Sequence, residues 1–76
     1  MSVDPGDVRE VAAQQYEAAA AELERAAAHL RWTAAHLRNA EVPRGCAHAF
    51  AAMGHLSGVR RQLDALAELH ATKAQV

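Results

Sequence analysis

Large apolar residues recur every seven positions through the first half of the chain, at Tyr16, Leu23, Leu30 and Leu37, with small ones between them at Ala12, Ala19, Ala26, Thr33 and Ala40. A seven-residue repeat with two such columns marks a helix that lays one seam against another helix. In heptad terms the large residues occupy position a and the small ones position d. The second half keeps the same frame, with Ala49, Leu56 and Leu63 at a and Ala52, Val59 and Leu66 at d. Large residues beside small ones let two helices approach closely.

The ends of the two repeats carry their own signals. At Val3 to Val8, Asp4 can cap a helix, Pro5 suits the first helical position, and Val3 can staple onto Val8. No breaker follows before Glu41, and the acidic Asp7, Glu10, Glu17, Glu22 and Glu24 precede the basic Arg25, Arg31 and Arg38, the order the helix dipole favours. Pro43 forces Val42 out of the helical region and Gly45 adds freedom. The pattern predicts a single all-α domain, an antiparallel two-helix hairpin with a helix over about residues 5–41, a turn at 42–45, a helix over about 46–71 and a frayed tail at 72–76. Gly54 and Gly58 fall inside the second helix, where each costs about 1 kcal/mol relative to alanine if exposed. That cost points either to close helix approach or to a weak helix centre.

Composition changes this picture in one respect. At 76 residues the chain is near the size at which a fold needs partners, metal or disulfides. Its 51% apolar content is largely alanine, which buries little area. The core must then be shared between chains, which predicts a homodimeric four-helix bundle or a larger helical oligomer. A net charge of −1 offers no broad basic surface, so nucleic acid is not an expected partner. No apolar run is long enough to span a membrane, and the start lacks the pattern of a signal peptide. A lone Cys46 cannot form an internal disulfide, in keeping with a reduced, cytoplasmic setting. The expected partners are the chain itself and another protein.

Four of the five histidines fall on one flank of the seam. Position g holds Gln15, Glu22, His29 and His36 in the first helix and His48, His55, Gln62 and Leu69 in the second. In an antiparallel pair the two g flanks share a side, and folding about Val42 brings level those residues whose numbers sum to about 84. That matches His36 with His48, His29 with His55 and Glu22 with Gln62. Trp32 lies beside this row at position c, and the matching positions of the second helix, Ala51, Gly58 and Ala65, are all small. A large ring opposite a groove of small residues is a docking arrangement, so this His/Trp face is the expected dimer interface. Ala13, Ala20, Ala27 and Ala34 at position e form a competing face.

Imidazoles in rows are candidate ligands for zinc, copper, nickel or iron. Seven residues of helix span about 10.5 Å, so two histidines of one helix cannot share an ion. Each level supplies two rings, and a two-fold dimer would supply the same pair again, with Glu22 adding a carboxylate at one end. The metal candidates are therefore His29, His36, His48, His55 and Glu22, acting across an oligomer. The plainer expectation is that the rings cover the seam and hydrogen-bond to Glu22, Gln62 or one another. A proton-linked assembly switch and a ligand or haem groove walled by Trp32 are further alternatives.

The remaining residues invite less chemistry. His70 is expected to favour the end of the second helix through its charge, and Cys46 lies on the e side, away from His48. Arg31, Arg38, Arg60 and Arg61 read as a solvated face pairing with Glu17, Glu24 and Asp64. Tyr16 and Phe50 read as core or seam. No nucleophile set, phosphate cradle or metal-binding pair on adjacent turns is present, so a non-catalytic structural or protein-interaction role is expected.

Overall fold

The computed structural model describes residues 7–74; side chains are described through residue 71. Asp4, Pro5 and the Val3 staple lie outside the described residues, as do the last two residues of the expected tail. Within them the chain is all-helical. Helix α1 runs Val8–Arg38 and α2 runs Val42–Ala74, folded back as a hairpin. Asp7 caps α1, its carboxylate accepting from the Arg9 amide at 3.0 Å. Helix α2 passes the expected end near residue 71 and continues to Ala74.

The turn falls earlier than Pro43 suggested, at Asn39 to Glu41. The Glu41 amide donates to the His36 carbonyl at 2.8 Å and the Ala40 amide to the Leu37 carbonyl at 3.0 Å. Together these bonds close α1 with a Schellman motif. Ala40 holds the left-handed position, φ 58°, that glycine usually fills. Glu41 then starts α2 by accepting from the Gly45 amide at 3.0 Å. Pro43 sits in the first turn of α2, where its missing N–H goes unnoticed.

The core is a single column. Ala19, Ala26, Ala52, Val59 and Leu66, all at position d, are buried. Two helices share only one line of contact, so the a residues flank it without being enclosed. Tyr16, Leu23, Leu30, Leu37, Val42, Leu56 and Leu63 remain 40–53% exposed. Phe50, expected in the seam, is 72% exposed.

Glycine serves close approach at Gly45, not at the two positions expected. A Cβ on buried Gly45 would lie 3.1 Å from Leu37 Cδ2 and 3.4 Å from the Thr33 carbonyl oxygen. The Thr33 hydroxyl, 2.9 Å from the His29 carbonyl and 3.0 Å from the Gly45 carbonyl, ties the helices together there. Gly54 has nothing within 4 Å of its Cβ position, and Gly58 meets only the Arg61 guanidinium at 3.8 Å. Neither marks a helix crossing.

Candidate functional site: a ladder of histidines

The early turn shifts the register and interleaves the two rows of rings. The expected partners do meet, but as stacks: His36 and His48 lie 5.2 Å apart between centroids and 7° from parallel, His29 and His55 5.2 Å apart and 20° from parallel. Hydrogen bonds run one heptad away from those pairs. His29 Nδ1 and His48 Nδ1 are 2.9 Å apart. His55 Nδ1 donates to Glu22 Oε1, and His36 Nδ1 donates to Glu41 Oε1 at 3.3 Å. Glu22 therefore pairs with His55 where Gln62 was expected.

The result is one continuous ladder across the seam, in the order Glu41, His36, His48, His29, His55, Glu22. Hydrogen bonds and ring stacks alternate along it, and a carboxylate closes each end. Arginine backs both carboxylates: Arg44 lies 3.1 Å from Glu41 Oε2 and Arg25 2.9 Å from Glu22 Oε2. Trp32 packs on the middle of the ladder. Its ring meets His29 edge-on at 5.0 Å and His48 at 5.3 Å.

Tautomers follow from these partners. A carboxylate only accepts, so His36 and His55 each carry a proton on Nδ1. Between His29 and His48 only one Nδ1 can carry one, because two facing N–H groups would collide. The central link thus exists only while one of its two nitrogens keeps a free lone pair. The outer links survive full protonation.

Two groups of the ladder are shifted, both downward, with burial opposing the shift at Glu22 and driving it at His29. The hydrogen bond from His55 holds the Glu22 carboxyl below its usual range, helped by the nearby charges of His55 and Arg25 against an opposing push from burial. Burial lowers the affinity of His29 for a proton, and charge on His48 and His55 lowers it further.

As a metal centre the ladder is incomplete in one chain. Among the described residues no three His, Cys, Asp or Glu side chains are grouped to hold an ion. Two zinc–nitrogen bonds of about 2.0–2.1 Å at a tetrahedral angle hold their nitrogens roughly 3.3 Å apart. His29 and His48 would have to separate by a few tenths of an ångström to grip one.

Of the expected interface residues, Trp32 packs on the ladder and Ala65 lies farther along the hairpin. Trp32 is 50% exposed, Ala51 and Gly58 are half-buried, and Ala65 is exposed. Trp32 is engaged with rings of its own chain and lines neither of two shallow grooves farther along the hairpin, one beside Gln15, Ala18, Gln62 and Ala65, the other beside Val8, Ala12, Tyr16 and Leu69.

Sequence reasoning missed one partnership. The Tyr16 hydroxyl lies 2.9 Å from His70 Nε2, joining the helices near their free ends, so His70 reaches across to α1. Both residues occupy position a, and that shared flank was the available signal. Cys46 is exposed on the e side, as expected. No described helix is long and apolar enough to cross a membrane. Compared with protein-family models, with curated proteins and with solved structures, the chain matches none.

Proposed function

We propose that this chain is a small self-associating helical module, a homodimeric four-helix bundle or larger helical oligomer, with a structural or protein-interaction role in the cytoplasm and no catalysis of its own. One observation carries the reading: a core of one column lies beside a row of large apolar side chains left 40–53% exposed on both helices. The hairpin is a single layer, only 12 Å through its thinnest direction between Cα atoms. Folded domains have two layers or more, because an apolar face needs something to pack against. A second hairpin supplies that layer.

A second reading is favoured by the ladder. Four imidazoles drawn to one flank, two of them 2.9 Å apart at Nδ1, suit a transition-metal-binding bundle in which His29, His36, His48 and His55, with Glu22, enclose ions between chains. This reading needs the His/Trp face, with Trp32, Ala51, Gly58 and Ala65, to meet its copy.

Native mass spectrometry of tag-free protein, with and without zinc, copper, nickel and ferrous iron, tests both. A metal-free even oligomer is the expected result. A monomer over the whole micromolar range would overturn self-association. A fixed number of ions per dimer, lost in a His29→Gln/His48→Gln variant, would put the metal reading first.

A further inference from the structure

Four charges on the outer edge of α1 have no partner among the described residues. Glu17, Glu24, Arg31 and Arg38 recur every seven residues at position b, so they line one edge of the helix, and all four are exposed. Most other described charged side chains find partners, among them Arg9 with Asp7, Arg25 with Glu22, Arg44 with Glu41 and Arg60 with Asp64, while Arg61 on α2 is also without one. Among the described residues the four on the b edge make no ion pair or hydrogen bond. Nor can they pair with each other, because seven residues of helix separate neighbours by about 10.5 Å.

Their order is acid, acid, base, base. A second α1 laid alongside in the same direction would put like charge against like. Laid antiparallel about a point near Ala27, it sets each acid opposite a base. This edge borders the apolar flank, with Ala20, Ala27 and Ala34 between the charges and the exposed column of Leu23, Leu30 and Leu37. Apolar centre, small-residue step and charged rim are the anatomy of an interface.

We infer that the apolar flank is covered by a second copy of this chain, related by a two-fold axis that crosses the helices near Ala27. Helix α1 then packs antiparallel on α1 of the partner subunit, with Glu17 against Arg38 of the partner subunit and Glu24 against Arg31 of the partner subunit. The inference rests on the self-association reading and adds to it a face, an orientation and a register. An axis along the helices would instead stack α1 on α2 of the partner. The b edge of α2 carries Phe50, Ser57, Asp64 and Ala71, whose single charge is already engaged by Arg60. That arrangement leaves all four edge charges unmatched.

The available area is sufficient. The chain exposes 5816 Å² for a mass of 8.1 kDa. A compact folded monomer of that mass would expose roughly 4,500 Å². The excess exceeds the ~800 Å² that each partner contributes to a standard interface.

Disulfide mapping in a Cys46→Ala background tests the geometry. Only residues near the axis face their own copies, so Ala27→Cys should link to itself when oxidised. Ala20→Cys and Ala34→Cys should each stay unlinked alone but join each other when refolded as a mixture. Arg31→Glu/Arg38→Glu should weaken the dimer by about tenfold or more in analytical ultracentrifugation, and adding Glu17→Arg/Glu24→Arg should restore it. Trp32→Glu should leave it intact. A dimer that links at Ala20→Cys or Ala34→Cys alone, or ignores the charge reversal, or dissociates with Trp32→Glu, keeps the self-association reading and overturns this arrangement. A chain monomeric at all concentrations overturns both.

Discussion

The two flanks of the buried column meet the same solvent in opposite ways. On the histidine flank each polar group needs one directional partner, and a single hairpin supplies it, from Glu41 through four rings to Glu22. On the leucine flank no single partner suffices, because apolar side chains are satisfied only by removing their area from water. Leu30 remains 51% exposed although α2 lies beside it. A flank made of hydrogen bonds can close within a two-helix layer; one made of leucines is left half exposed by it.

The largest effect should come from the column itself. Leu66 is only 2% exposed, so Leu66→Ala should cost about 2–5 kcal/mol in urea unfolding at any protein concentration. Leu30→Ala tests the flank beside it. In an isolated hairpin a half-exposed leucine contributes little, but in a dimer its loss acts on association, and the cost should grow as the protein is concentrated from the nanomolar to the micromolar range. A Leu30→Ala cost independent of concentration would remove the distinction between the two flanks.

Much of this comparison was legible in the heptad frame. The d column, the hairpin and the gathering of His29, His36, His48 and His55 all follow from spacing, since spacing fixes which residues share a helix face. The turn did not follow, because the visible breakers, Pro43 and Gly45, act inside α2, while the residue that reverses the chain is Ala40, which carries no turn signature. That displacement turned the expected ring pairs into stacks and moved the hydrogen bonds by a heptad. Depth of burial was also illegible for the a column. Sequence patterning marks an apolar stripe without stating how many neighbours will cover it, and here one helix covers only half.

Ala40 sets the register on which both flanks depend, and it does so in a conformation that costs a non-glycine residue about 1–2 kcal/mol. Ala40→Gly should therefore raise stability by about 1 kcal/mol, read from the urea midpoint, while His29 and His48 keep their contact. Gly54 offers the smaller gain. With open space at its Cβ position, Gly54→Ala should add about 0.5–1 kcal/mol through helix propensity alone. Destabilisation at Ala40→Gly would mean that the turn does not hold the ladder in register.

The smallest expected effect is that of pH on the histidine flank, because solvent screens groups that lie at the surface. Its sign is nevertheless fixed. His29 binds a proton less readily in the fold than at its ordinary value of 6.5, so as pH falls below about 6.5 the unfolded chain takes up a proton first and stability declines. Glu22 is held below its ordinary 4.5; the stability it contributes is complete above about pH 4.5 and is lost as pH falls through its lowered value. Both steps run the same way. Urea midpoints at fixed protein concentration should therefore fall from pH 7.5 to 5.5 and again below 4.5. His29→Gln should flatten the first step and Glu22→Gln the second. A midpoint that rises between pH 7.5 and 5.5 would show that the ladder is held by charge on its rings, which would reverse the account of how this flank closes within one hairpin.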